Sequence, residues 1–258
     1  MKTPGVYIVE KSAFPNSVVE APTAIPAFIG ITEKAVNGAD SLSGKPWKIT
    51  SMTEFQQYFG GAPAPEFRLS VVDYPEKDAS KTFYGIPSPD KSKLLRVEAP
   101  EVTFSLYYQM VMFFANGGGT CYIVSAGTYD QKSLIDKEKV VAALTALKKE
   151  QEITMVLVPE AVSVDECKDI QTQVLAHCGE MMNRFAILDV QPKAKENEVM
   201  SEQIEIFRTN VGANFLSYGA AYYPWLNTSV LSDKEIDGTV LALSLIHISE
   251  PTRHAQIS

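Results

Sequence analysis

The stretch ITMVLVPEAVSVDECKDIQTQVLAHCGEMMNRFAILDV, residues Ile153–Val190, decides the fold. It opens with the apolar run ITMVLVPE (Ile153–Glu160), ended by Pro159, and closes with a second, RFAILDV (Arg184–Val190). Between them Val164, Cys167, Ile170, Val174, Cys178 and Met181 recur at helical spacing, and Ser163 with Glu166 gives a capping pattern ahead of them. Runs apolar on both faces belong to strands covered on both sides, as in a parallel sheet between helices. Strand, helix, strand at this spacing is a βαβ unit.

The pattern extends in both directions. Upstream, TCYIVSAG (Thr120–Gly127) reads as a strand, and residues 133–150 as a helix turning Val140, Val141, Leu144 and Leu147 inward. Before these, Val102, Phe104, Leu106, Tyr107, Met110, Val111, Phe113 and Phe114 make a heavily apolar helix. Downstream, Ser201–Val211 is helical and stops at Gly212, and SYGAAYYPWL (Ser217–Leu226) is the last strand. Residues 101–230 are therefore expected to be α/β, a mostly parallel sheet covered by helices.

The first hundred residues differ. TPGVYIVE (Thr3, Pro4, Gly5, Val6, Tyr7, Ile8, Val9, Glu10) reads as a strand with Val6 and Ile8 on one side and Tyr7 and Val9 on the other. A lone strand is not stable in water, so this one must join a sheet in its own chain or a neighbour's. Residues 1–30 are read as an arm with a proline-bearing linker, and 31–61 as a small strand–helix unit. Within these, PAFIGIT (Pro26–Thr32) is a short strand, and in KITSMTEFQQYFGG (Lys48–Gly61) Ser51 and Glu54 cap a short helix that Gly60-Gly61 ends. Residues 62–100, proline-rich and of mixed charge, are expected to be an insertion of low regularity.

Composition removes several classes of function. The 258 residues carry a net charge of −8, unlike a nucleic-acid binder, which needs a basic face. No apolar run approaches the roughly 18–20 residues of a membrane helix. The opening Met1-Lys2-Thr3-Pro4-Gly5 turns polar too soon for a secretory signal, which points to synthesis in a cytoplasm. The cysteines, Cys121, Cys167 and Cys178, form no Cys-x-x-Cys pair and read as small core residues.

Candidate chemistry is sparse. FFANGGGTCYIV (Phe113–Val124) has the glycines of a phosphate loop but the opposite order: they follow a helix and precede a strand. They read as a helix stop. His177 lies mid-helix, at its surface or at the edge of the core, with no nucleophile elbow in the chain. One histidine without paired cysteines offers no transition-metal site, and no cofactor is expected. Asp189, at the end of a parallel strand where open α/β proteins bind ligands, is the best acid for an enzyme; otherwise it is a solvated strand end. Glu10, Glu20, Glu160 and the run Lys193–Glu198 read as solvated surface.

The final run SLIHISEPTRHAQIS (Ser244–Ser258) has no hydrophobic periodicity and resembles a translated sequencing adaptor. Residues 245–258 are accordingly expected to be an artefact, with 101–244 an incomplete core whose native continuation is missing.

Taken in order, TPGVYIVE, PAFIGIT, ITSMTEFQQYFGG, FFANGGGTCYIV, VPEA, NRFAILDV and AAYYPWL resemble the contractile tail sheath family of bacteriophage tails and related injection systems, across residues 3 to about 228. AHCGEMMNRFAILDV and YYPWLNTSV are most similar to sheaths of the Bacteroidetes type. The resemblance implies a subtilisin-like core without a catalytic triad, hence no enzyme activity. It implies a structural subunit of a virion tail or tail-like particle assembled in the bacterial cytoplasm. Its partners would be other sheath subunits in hexameric, helically stacked rings, an inner tube, a baseplate and a tail terminator, with neither nucleic acid nor direct membrane insertion. The arm Thr3–Glu10 would lace subunits together. The Pro-Pro-Ser-Gly segment that usually follows the family's Pro-Trp motif does not follow Pro224-Trp225. A baseplate or adaptor subunit, or an α/β hydrolase using Asp189, are the alternatives.

Overall fold

The computed structural model describes residues 23–63, 68–73, 85–87, 93–98, 104–129, 134–191 and 200–224, with 226, 228 and 230. The arm Thr3–Glu10, Glu20, the run Lys193–Glu198, Trp225 and the tail 245–258 lie outside them.

In chain order the elements are β1 (Pro26–Thr32), β2 (Val36–Asn37), β3 (Asp40–Ser41), β4 (Trp47–Ile49), α1 (Met52–Phe59), β5 (Arg68–Asp73), β6 (Gly85–Pro87) and β7 (Lys93–Glu98). There follow α2 (Leu106–Ala115), β8 (Cys121–Thr128), α3 (Lys137–Leu147), β9 (Met155–Leu157), a 3-10 turn (Pro159–Ser163), α4 (Cys167–Met181), β10 (Phe185–Asp189), α5 (Met200–Val211) and β11 (Gly219–Tyr222). The main sheet has six strands in the order β11-β10-β9-β1-β8-β4. All its pairings are parallel except β4 against β8 at one edge. The expected α/β class, mostly parallel, is what the residues form.

Alternation along the strands sends side chains to two cores. Ala27, Ile29, Ile31, Val124, Val156, Ala186 and Leu188 pack with Val140, Leu144 and Leu147 of α3 and Ile170, Val174 and Cys178 of α4. On the opposite face Phe28, Ile49, Cys121 and Ile123 pack with Phe55 and Phe59 of α1 and Leu106 and Met110 of α2. All three cysteines are buried and free, as the spacing suggests.

Several boundaries differ from the sequence reading. Pro26–Thr32 is not the end of an arm but the central strand, fully buried between β8 and β9. The 31–61 stretch is not a separate unit, since β4 pairs with β8 and α1 shares the core of α2. Within 62–100, β5, β7 and β6 form a three-stranded antiparallel sheet. In their register Leu69 faces Val97 and Val71 faces Leu95 along the backbone ladder. Helix 133–150 narrows to α3, and Val141 is exposed while Ala143 takes the inward place. The strand expected over Ile153–Glu160 pairs only at Met155–Leu157, because Pro159 opens the 3-10 turn.

The two capping patterns part ways. Ser51 Oγ accepts the Glu54 amide at 3.2 Å, as expected, while the Glu54 carboxylate reaches the Thr50 amide (2.6 Å) rather than that of the cap residue. Ser51→Ala should lower the melting temperature by an amount equivalent to about 1 kcal/mol, checked by thermal denaturation. Ser163 and Glu166 do not cap α4, which has no side-chain cap. Ser163 ends the 3-10 turn, and Glu166 Oε2 accepts the Lys137 amide at the start of α3 (2.9 Å). A carboxylate caps whichever helix start it faces in space, here that of the neighbouring helix.

Candidate functional site

The chain leaves β1 toward β8 on one side, then builds β9, β10 and β11 outward on the other. The reversal falls between β1 and β9, and open α/β proteins bind ligands beyond the carboxyl ends of such strands. Here that crevice holds Glu160.

Glu160 lies in the 3-10 turn that follows β9 and is 0% exposed. Its Oε2 accepts the Ile31 amide at 2.8 Å. Its Oε1 accepts the amides of Ser105 (3.0 Å) and Leu106 (3.2 Å), at the start of α2. β9 pairs with β1 only as far as Phe28↔Leu157, and the β1–β8 register shifts between Gly30 and Ile31, so beyond this point the carboxylate supplies β1 with an acceptor. A Cβ on Gly30 would lie 2.9 Å from Leu106 Cδ2 and 3.2 Å from Glu160 Oε2, so glycine permits the approach. Burial pushes the Glu160 carboxyl up to about 7, against the pull of its three N–H donors. The anion-binding end of α2 is thus taken by the protein's own side chain. The reading of Glu160 as solvated surface is corrected. Its signal was local: one acid between the apolar flanks Val156-Leu157-Val158 and Ala161-Val162.

Asp189 ends β10, half-buried, with burial raising its carboxyl above the usual range. Its backbone carbonyl accepts Gln171 Nε2 at 2.7 Å. The cavity between Asp189, Gln171, Ile187 and Leu157 measures about 40 Å³, room for a water.

His177 is buried, not at the helix surface. Arg184, also buried, donates from Nη1 to the Leu147 carbonyl (3.0 Å) and from Nη2 to that of Glu150 (2.8 Å), closing the end of α3. Nη1 also lies 3.2 Å from His177 Nε2. A guanidinium only donates, so Nε2 accepts and the imidazole is neutral with its proton on Nδ1. Burial, with Arg184 and Lys148 adding to it, pushes His177 down to about 4. The sequence did not single out Arg184, because a basic residue beside an apolar strand looks like an ordinary strand boundary.

The glycine run ends α2 as expected. Asn116 is the cap residue, Gly117 adopts φ +84°, and Gly118 donates its amide to the Phe113 carbonyl at 2.8 Å. None of Asp189, His177 and Glu160 hydrogen-bonds another among the described residues.

No family model matches the chain, and no curated protein matches it. Among solved structures it is similar to the helical sheath of the anti-feeding prophage in its contracted state, with a TM-score of 0.48 and 18% identity, over 87% of this chain and 46% of that one. The chain thus spans about half the length of the structure it matches.

Proposed function

We propose that this chain is a structural subunit of a contractile tail sheath, of the Bacteroidetes type, that polymerises around an inner tube and contracts to drive it through a target envelope. The observation that supports this best is positional. Four of the stretches that resemble the sheath family contribute to the main sheet: Pro26–Thr32 is β1, Phe113–Val124 ends α2 and opens β8, Asn183–Val190 contains β10, and Ala220–Leu226 takes in most of β11. VPEA, Val158–Ala161, supplies the carboxylate that fills the crevice an α/β enzyme would keep for its substrate.

In this reading the core is subtilisin-like in architecture and serves as a rigid body. Subunits form hexameric rings stacked on the tube, between a baseplate and a terminator, in a particle assembled in the bacterial cytoplasm. The arm Thr3–Glu10 adds to a neighbour's sheet, a contact whose affinity comes from main-chain hydrogen bonds. Repeated head to tail, such a contact does not close and yields a lattice. Two packings of that lattice provide the switch, with the energy stored at assembly.

Deleting residues 3–10 is expected to leave the α/β body folded and to abolish ring-to-ring order in electron micrographs of assembled tubes. Normal lattices without those residues would withdraw the arm's role. Quantitative mass spectrometry of the particle tests the subunit's identity: many copies fit a sheath, and a few copies would replace it with a baseplate or adaptor part.

A further inference from the structure

A groove of about 750 Å³ runs between α2 and the sheet. Parallel sheets are normally covered on both faces. On the α2 face the described helices cover β1, β8 and β4, while Met155, Leu157, Phe185 and Ile187 of β9 and β10 remain half-buried. Phe28, Met112, Phe113, Met155 and Leu157 give the groove an apolar lining.

Gly117, Gly118 and Gly119 line it as well. Gly117 is required by its positive φ, and a Cβ on Gly118 would stand 2.5 Å from the Phe113 carbonyl oxygen. Gly119 has neither reason: its φ is not left-handed, and a Cβ there meets nothing within 4 Å. Its amide and carbonyl have no backbone partner among the described residues. Bare backbone beside an apolar trough is what an extended peptide needs: main-chain partners on one side and apolar contact on the other.

The occupant is indicated by where the described chain begins. Thr23, Ala24 and Ile25 themselves line the groove, and residues 1–22 precede them. Within those, Thr3–Glu10 is the stretch apolar on both sides. The linker 11–22 can span up to about 40 Å, enough to return it to the groove. So short a tether gives an effective concentration of the order of millimolar, so at micromolar protein a segment meets its own groove before a neighbour's.

We propose that in the unassembled subunit Thr3–Glu10 lies in this groove of its own chain, beside the Gly117–Gly119 backbone, and leaves it when the arm passes to a neighbour. The second step rests on the sheath reading; the first is a property of the single chain and is tested there.

The test is hydrogen exchange on the full chain, at a dilution where sedimentation shows a monomer. Amides of residues 3–10 should exchange about tenfold or more slowly than in a synthetic peptide of residues 1–22. Gly119→Trp, whose side chain enters open space and fills the groove, should bring them to the peptide's rate while β1 and β8 amides keep theirs. Should that variant lose the β1 and β8 protection, Met112→Lys, which places a charge in the trough, is read in its place. Peptide-like rates in the unmodified chain, or protection that survives the groove variant, would overturn the proposal. Protection that rises with protein concentration would also overturn it, by placing the arm in a second copy. Protection that persists whether or not the chain assembles would uphold the contact, and the copy number per particle alone would then decide the sheath reading.

Discussion

Glu160→Leu should destabilise the protein by about 3–6 kcal/mol, a large part of the 5–15 kcal/mol typical of a domain. The cost is the desolvation of three N–H groups, those of Ile31, Ser105 and Leu106, left buried without an acceptor. Above pH 7, where the carboxyl is ionised and both oxygens accept, Glu160→Gln should not restore full stability. The amide has one acceptor oxygen, so its NH2 must face the Ile31 amide or the pair at the start of α2. Urea denaturation of both variants checks this, and a Glu160→Leu protein within about 1 kcal/mol of the parent would show that the carboxylate does not hold the crevice together.

The same residue sets a pH dependence with a definite sign. Its folded-state value, about 7, lies above the ordinary 4.5, so its contribution is full below pH 4.5 and is lost as pH rises toward 7. His177 runs the other way: held near 4 instead of 6.5, it contributes fully above pH 6.5 and loses that as pH falls toward 4. Between pH 4.5 and 6.5 the two slopes oppose each other. Glu160→Gln removes one of them, and its stability should then rise by about 2–3 kcal/mol across that window, at about 1.4 kcal/mol per pH unit. A falling or flat profile would contradict the neutral state assigned to His177.

Arg184→Met should cost about 2–4 kcal/mol. Methionine fills much of the volume but leaves the Leu147 and Glu150 carbonyls and His177 Nε2 without their donor. Arg184→Lys should recover little, because one ammonium cannot reproduce the planar fork that meets these acceptors together. A second readout separates the electrostatic role from packing. With the cation gone, the His177 imidazole should titrate higher than about 4, followed by its ring-proton chemical shifts, while burial keeps it below 6.5. An unchanged titration would mean that Arg184 acts on α3 alone.

Element types over much of the described residues were legible in the sequence. Apolar runs such as Ala186–Leu188 and spacings such as Cys167, Ile170, Val174 and Cys178 are local consequences of one buried face, so they are legible without the fold. The helix stop at Asn116–Gly119 was legible too, since left-handed backbone has few residues that suit it. Strand order was decided only by tertiary structure. Nothing within Pro26–Thr32 says that it pairs with residues near 122 and 155, because pairing partners are set by the global packing of helices over the sheet. Ser51 capped its own helix, whereas Glu166 turned to α3, for the local spacing was alike and only the spatial neighbour differed. Glu160 is the sharpest case: the same glutamate would be solvated on an open strand end. It becomes a buried acceptor only where β1, the 3-10 turn and the start of α2 converge, and desolvation depends on neighbours that are remote in sequence.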